Sequence, residues 1–539
     1  MSGVRVRFEP DGRSVEVTPG TTLHEAAAEA GVGLVAPCGG MGRCGSCRVG
    51  VSGSMRPPDA SELETLGASA RAGTRLACRA RVDGPGEVVV EVPPRVGGTI
   101  RAETSSVGPA PLVQRPEDRG VTAPAGAVAM GAAVDIGTTT IAVRLHDLRT
   151  GRVIGEAAAL NPQAAWGHDV LSRVSRALEG DARALRNAVT RAVEDLIIEL
   201  TDRPSAAGGS LMEIAVVGNP AMIRLFSGSD VSMLADATSP GVDRPARITD
   251  AATADMHVLG PAAVIVGPEV SAFIGADTVA ALLSTGMADR TEDTLLVDLG
   301  TNGEVVLATG GRLFAASAAA GPAFEAYGLA SGMHAEPGAI ETVWLDGDVL
   351  GIRTVGEQRP RGLCGSGLID LLAVLLETGA LDSTGRLQPE GPLARRVVEA
   401  PGGRVFEVAS DVLLTQQDVR QAQLAKAAVQ AAIEAVLVAA QRPADAVAEV
   451  LVAGGFGSHL RPASLAAIGV IPPAWAQRVT LSGNAALAGA SAMVLSGRAR
   501  DAADLLAKRV QTVVLAGTPE FRERFVAALG FPESIKEGR

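Results

Sequence analysis

Four of the five cysteines stand at Cys38, Cys44, Cys47 and Cys78, a Cys-x5-Cys-x2-Cys-x30-Cys spacing. The first three share one ten-residue loop, Cys38-Gly39-Gly40-Met41-Gly42-Arg43-Cys44-Gly45-Ser46-Cys47. Its four glycines let backbone N–H groups approach sulfurs that side chains would otherwise screen. Five cysteines in 539 residues are too few for a disulfide framework, and the crowding of four into the first 78 points to ligation of a metal or a cluster. Structural zinc usually takes its ligands as two short Cys-x2-Cys hooks, and only one such hook is present. Inert buried thiols are the remaining alternative.

The surroundings of the loop suggest its fold. Val4, Val6 and Phe8 alternate, Asp11-Gly12 turns the chain, and Val15 and Val17 alternate again, as in a β-hairpin. Thr22 and Glu25 have capping-box spacing for a helix from Leu23 to Ala30, stopped by Gly31. A strand returns over Val88 to Val92. Hairpin, helix and returning strand around a cysteine loop describe a small β-grasp domain. The cysteine spacing is close to the plant-type 2Fe-2S pattern with one extra residue in the first gap. The region resembles ferredoxins of the adrenodoxin type, which implies a 2Fe-2S cluster on Cys38, Cys44, Cys47 and Cys78.

Beyond residue 93 the texture changes. Six prolines and five glycines lie between Pro93 and Gly126 with little apolar periodicity, as in a linker. An internal echo follows: Val134-Asp135-Ile136-Gly137-Thr138-Thr139 and, 163 residues on, Val297-Asp298-Leu299-Gly300-Thr301-Asn302. Each ends an apolar run and opens another, Ile141 to Leu145 or Glu304 to Leu307, that reaches a glycine turn. Two halves that each open on such a hairpin predict a duplicated α/β region with a cleft between its lobes. The expected division is 1–93, 94–126, 127–290 and 291–539.

The tips suit phosphate. Gly137 allows close backbone approach, Thr138, Thr139 and Thr140 add N–H and hydroxyl donors, and Asp135 could hold a hydrated Mg2+. Asp298, Gly300, Thr301 and Asn302 repeat that chemistry, with Glu304 behind them as a candidate water-orienting group. A third element, Leu451 to Ser458, supplies Gly454, Gly455 and Gly457 after a strand, where an adenosine could lie on bare backbone. Gly365 and Ser366, before a helix expected over Leu368 to Leu375, could also touch a nucleotide, and Cys364 reads as a small buried residue. Asn219-Pro220 reads as the start of a helix, and Thr415 with Asp418 as a capping pair. Each stretch alone is equally an ordinary turn. In this order they resemble the actin, sugar-kinase and Hsp70 ATPase superfamily (ASKHA, with RNase H-like lobes), which implies ATP with Mg2+. No Gly-x4-Gly-Lys-Ser/Thr motif of a P-loop occurs.

Net charge is −12 with acids and arginines interspersed, which argues against a nucleic-acid partner. No signal-peptide pattern or run of about 18 uncharged apolar residues is legible, so no membrane partner and a cytoplasmic location are expected. The whole chain resembles the reductive activators of corrinoid proteins. The matching stretches include Asn161-Pro162-Gln163, Gly167-His168-Asp169, Ala320 to Glu325, Gly362 to Gly367, Leu414 to Asp418 and Gly483 to Leu487. That resemblance implies a multidomain α+β and α/β chain: a β-grasp 2Fe-2S ferredoxin, a linker and a duplicated actin-like ATPase region. It implies one-electron reduction of inactive Co(II) to Co(I) in the corrinoid protein of a methyltransferase system, with ATP and an electron-donating reductase or ferredoxin as further partners, and is compatible with a homodimer. Two alternatives share the motifs: a redox-gated ATP-binding regulator, and a small-molecule kinase fused to a ferredoxin.

Overall fold

The computed structural model describes residues 3–92 apart from 10–11, 31, 33, 35–46, 67–72 and 85; residues 128–235; and residues 247–533 apart from 253, 401–402 and 456–459. The expected linker, Cys38, Cys44, Gly31 and Gly457 lie outside the described residues. The chain divides into two compact units, Met1–Gly98 with Pro162–Ala188 and Thr99–Asn161 with Val189–Arg539.

In the first unit, a five-stranded sheet runs in the order Arg13–Val17, Val4–Glu9, Gly86–Glu91, Arg48–Ser52, Thr74–Leu76. The expected hairpin is present, with Val4 opposite Val17 and Val6 opposite Val15, and Val4–Glu9 also pairs parallel with Gly86–Glu91. The inward alternation of Val4, Val6 and Phe8 meets Leu23 and Ala26 of the helix Leu23–Glu29 and Val88 and Val90 of the returning strand. That helix has the capping box read from sequence: Thr22 Oγ1 accepts from Glu25 N at 3.1 Å, and Glu25 Oε2 accepts from Thr22 N at 2.8 Å.

One buried ion pair fixes the strand leading to Cys78. Arg75 places Nε 2.9 Å from Glu62 Oε1 and Nη2 2.7 Å from Glu62 Oε2, a two-pronged contact, and Glu62 Oε1 also accepts from Leu76 N at 3.0 Å. Glu62 itself is set in the first turn of the helix Ala60–Leu66, where its N–H donates to Asp59 Oδ1 at 3.0 Å. The hydrogen bonds offset the desolvation of two ions that are almost fully buried.

The second unit holds two six-stranded sheets. Their shared core order is Ala263–Val266, Gly209–Gly218, Val128–Ile136, Thr140–Asp147, Val153–Leu160 in one, and Val479–Gly483, Glu449–Ala453, Thr294–Leu299, Gly303–Thr309, Arg312–Ala318 in the other. In each, three antiparallel strands come first and two parallel strands extend the sheet beside the first. The sequence echo is therefore a topological duplication. The edges differ, Arg247–Asp250 closing one sheet and Val510–Thr512 the other.

The duplicated tips sit where the first two strands of each lobe turn. Ile136 faces Ile141 and Leu299 faces Gly303, so the first tip is one residue longer than the second. The neighbouring parallel strand comes so close that a glycine stands at its end in one lobe and just past its end in the other: a Cβ on Gly218 would lie 2.6 Å from Ile136 O, and one on Gly454, whose φ is +131°, 2.4 Å from Leu299 O. Two apolar helices join the lobes. Ala276–Thr285 packs on Ala485–Leu495, and Ala485–Leu495, which follows the last core strand of the second lobe, also packs on Val128–Ile136 of the first.

Among the described residues one helix, Gln416–Ala440, is long and apolar enough to cross a membrane by length and composition, and 72% of its apolar window is buried inside the fold. It lies under Gly303–Thr309 and Arg312–Ala318, and Val419, Val429, Ile433 and Val436 join the core there. Its capping pair is as read: Thr415 Oγ1 accepts from Asp418 N, and Asp418 Oδ2 accepts from Thr415 N.

Replacing Glu62 with alanine leaves the Arg75 guanidinium buried without its counter-ion. Stability of the N-terminal unit is expected to fall by roughly 3–5 kcal/mol, read as a lower thermal midpoint by circular dichroism.

Candidate functional site

The sequence places Asp135 and Asp298 on the last turns of matching strands, and the fold brings them to one cleft between the lobes. The cavity there is lined by Asp135, Gly137, Thr138 and Thr140 of the first tip and by Asp298, Gly300, Thr301, Asn302 and Glu304 of the second. Gly365, Gly454 and Gly455 complete the part of the wall that sequence reasoning named.

Two expected contacts are absent from that lining. Thr139 turns its hydroxyl to Thr301 Oγ1, 2.9 Å away, and to Glu325 Oε2, 2.6 Å away. Ser366 turns its hydroxyl to Glu341 O at 2.8 Å. The helix expected from Leu368 begins at Gly365 with Cys364 as its N-cap, so Ser366 lies in the first helical turn rather than in a loop. The first-turn N–H groups have no intrahelical acceptor, and Gly365 presents this donor-rich end to the cavity. Cys364 is buried as expected and forms part of the cavity wall.

Several lining residues were not singled out from the sequence as site residues. Asn219, read only as a cap, does cap the helix Pro220–Ser227, and its Nδ2 also donates to Thr138 Oγ1 at 2.9 Å. Asn484 caps Ala485–Leu495, and its Nδ2 donates to Asp135 Oδ2 at 2.9 Å. Asp277 opens the partner helix Ala276–Thr285 and faces the cleft. Glu325 follows the last strand of the second lobe's hairpin pair. Asn161, part of the Asn-Pro-Gln stretch, braces the first tip by donating from Nδ2 to Gly137 O at 2.8 Å and from its N–H to Thr139 O at 2.8 Å.

Among the described residues five carboxyl groups therefore converge, Asp135, Asp277, Asp298, Glu304 and Glu325, and no Lys or Arg lines the cavity. Burial and mutual repulsion make the ionised forms costly. Burial pushes Asp135 up to about 7, against the stabilising bond from Asn484, with Asp277 adding to the rise. Burial, then the charges of Asp277, Asp135 and Glu325, push Asp298 up to about 8. Asp277 rises to about 6 by burial, and Glu304, which accepts from Ser317 Oγ at 3.1 Å, is raised well above the usual carboxylate range by burial and then by Asp277 and Asp298. Among the described residues no three acids form a direct ligand set for one ion.

In the N-terminal unit, Cys47 and Cys78, 31 residues apart in sequence, hold their sulfurs 3.3 Å apart, both buried and neither in a disulfide. The close partner sulfur holds Cys47 down to about 7. Ala77 N donates to Cys47 O at 2.8 Å, which ties the two cysteine segments together.

Comparisons with known proteins agree with this arrangement. Residues 6–83 match the 2Fe-2S iron-sulfur cluster binding domain, residues 130–290 the RACo middle region, and residues 292–537 the C-terminal ASKHA domain of RACo. A solved structure described as a reductive activator for corrinoid, iron-sulfur protein superposes over 98% of both chains with a TM-score of 0.72 and 28% identity. The chain belongs to the family of reductive activators of corrinoid proteins. Among its relatives is the corrinoid activation enzyme RamQ of Eubacterium limosum, 28% identical over 75% of this chain and 71% of the relative. Another is a Co(II) methylated amine-specific corrinoid protein reductase of Methanosarcina barkeri, 25% identical over 74% of this chain and 77% of the relative. The reductive-activator frame thus joins a 2Fe-2S ferredoxin domain to an ASKHA region in which the cleft lies between the duplicated lobes.

The raised carboxylates fix the sign of a pH effect. An acid whose native pKa lies above its unfolded value of about 3.9 keeps in the folded protein a proton that the unfolded chain has lost, so stability declines as pH rises through that window. For Asp135 and Asp298 the window runs from about pH 4 to about pH 8. The thermal midpoint of the nucleotide-free, magnesium-free protein is expected to fall across this range, and Asp298→Asn to flatten the profile, both measured by differential scanning calorimetry.

Proposed function

We propose that this chain is an ATP-dependent reductive activase that returns the cobalt of a corrinoid protein from inactive Co(II) to Co(I). The observation that carries the reading is the correspondence over 98% of both chains with a reductive activator, in which a cysteine-rich ferredoxin domain and an ASKHA cleft occur together. The corrinoid partner follows from two relatives whose names specify corrinoid activation and reduction of a Co(II) corrinoid protein.

Cys47 and Cys78, with Cys38 and Cys44, are the residues that would hold the 2Fe-2S cluster. The fit is supported by two buried thiols brought within 3.3 Å of each other, one with its pKa already lowered toward the thiolate that ligation needs. When bound there, the cluster supplies one electron at a time, the stoichiometry of converting Co(II) to Co(I). An electron-donating reductase or ferredoxin would refill it, and five cysteines in 539 residues, too few for a disulfide framework, suit a cytoplasmic setting.

In the cleft, Gly137, Thr138, Gly300, Thr301 and Asn302 would face the phosphates of ATP, and Gly454 and Gly455 the adenosine. Asp135 and Asp298 would hold Mg2+ through its waters. This fits a cleft that, among the described residues, has five acids, no lysine or arginine and no direct three-acid ligand set, because Mg2+ dehydrates reluctantly and keeps several waters. Bound Mg2+ would reverse the like-charge penalty on those acids and leave them ionised. Glu304, opposite Asp298 on the neighbouring strand, would orient a water once ionised. Return of cobalt to Co(I) is an uphill step for a 2Fe-2S donor. ATP can drive it if lobe closure favours a complex in which the cobalt is easier to reduce, which is a coupling free energy between the two sites.

The deciding experiment mixes the reduced protein, Mg2+, ATP and a Co(II) corrinoid protein anaerobically and follows the cobalt absorption. ATP-dependent formation of Co(I) is expected; its absence with a corrinoid protein from the same genomic neighbourhood would overturn the proposal. Cys78→Ser is expected to remove the visible cluster absorption and cobalt reduction while leaving ATP affinity within about twofold, measured by calorimetric titration.

A further inference from the structure

Three oxygens close a triangle between the lobes. Thr139 Oγ1 of the first tip and Thr301 Oγ1 of the second each donate to Glu325 Oε2 at 2.6 Å, and the two hydroxyls stand 2.9 Å apart. A threonine hydroxyl carries one hydrogen. Both hydrogens are spent on the carboxylate, at the roughly 2.5–2.7 Å typical of O–H donors to an ionised oxygen. The distance between the hydroxyls is what remains when two donors converge on one acceptor. The other carboxylate oxygen, Oε1, lies 3.7 Å from the point where a side chain on Gly300 would begin. An anionic group thus rests over the bare backbone of one tip and takes hydroxyl donors from both.

Those are the contacts a phosphate would need. We propose that Glu325 is an internal stand-in for a nucleotide phosphate: its carboxylate bridges the two tips, and a phosphate of ATP must displace it to reach the same hydroxyls. The proposal rests on the nucleotide reading of the cleft. Two anions cannot share these donors, because like charges a few ångströms apart in a buried site repel strongly. The exchange also has a mechanical outlet. Pro322–Glu325 is a single 3-10 turn, held at its start by Gly321 N donating to Thr301 O at 2.8 Å and ending on Ala326 at φ +57°, a conformation costly for a residue other than glycine. Phe324, next to Glu325, is fully buried, and the turn packs on the helices Gly365–Thr378 and Gln416–Ala440. Displacing Glu325 therefore shifts a turn already seated in the second lobe's core. Glu325 acts as a positioning residue that trades the first tip for phosphate.

The test uses the full chain with its cluster in place, in Mg2+, and measures the dissociation constants of ATP and of adenosine by calorimetry for the wild type, Glu325→Gln and Glu325→Ala. Adenosine has no phosphate to compete with the carboxylate. Removing the charge is expected to tighten ATP at least fivefold while leaving adenosine within about twofold, in either variant. Unchanged or weaker ATP binding would overturn the proposal, since a magnesium- or nucleotide-holding glutamate would lose affinity on substitution. Parallel tightening of adenosine would overturn it as well, as a general loosening of the cleft. Failure of the wild type to bind ATP would instead remove the nucleotide reading itself.

Discussion

The convergence of acidic side chains on one buried point organises the larger unit. Asp135 and Asp298 arrive there because two copies of the same hairpin face each other, and Asp277 and the Asn484 amide arrive because the two lobe-joining helices begin at the same place. Such a cluster is unfavourable by itself: burial and like charge raise Asp135 to about 7 and Asp298 to about 8. The surrounding sheets and the helix pair have to supply the stability that holds it, a common pattern at sites built to receive a charged ligand.

Some of the polar links between the lobes lie close to this point. Asn484 reaches Asp135, Thr139 reaches Thr301 and Glu325, and farther out Ser284 donates to Ala485 O at 2.8 Å. Changes of charge in the cleft therefore act directly on the bonds that span it. Behind the second lobe the helix Gln416–Ala440 ties the same region to the C-terminal segment, where Gln423 Nε2 donates to Leu529 O at 3.0 Å and Phe531 is buried. An ATPase cleft that must pass a conformational signal needs linkages of this kind between discrete packed elements.

Local patterns carried much of the fold. The hairpin from Val4 to Val17, the capping boxes at Thr22 and Thr415 and the glycine turn after Leu307 all depend on residues close in the chain, and all formed as read. The duplication was legible because both tips needed the same small residues at the same turn. The hydroxyls of Ser366 and Thr139 were less legible: the direction of each side chain is set by a distant acceptor, Glu341 O in one case and Glu325 in the other. Asn219 was half read, since its capping role is local and its bond to Thr138, 81 residues back, is not.

The sequence by itself determined the chemistry available: four cysteines at a cluster spacing and two Asp-x-Gly-Thr turns, because ligand type and backbone clearance are properties of residues and their immediate neighbours. Only the tertiary structure decided which acids share the cleft. Asp277 carries no motif that marks it, and Glu325, though it closes the stretch from Ala320 to Glu325, is not marked there as an acid of the cleft. They enter the site because a helix from the first lobe begins and a turn from the second ends at the same point, and the low dielectric there turns ordinary carboxyl groups into strongly interacting ones.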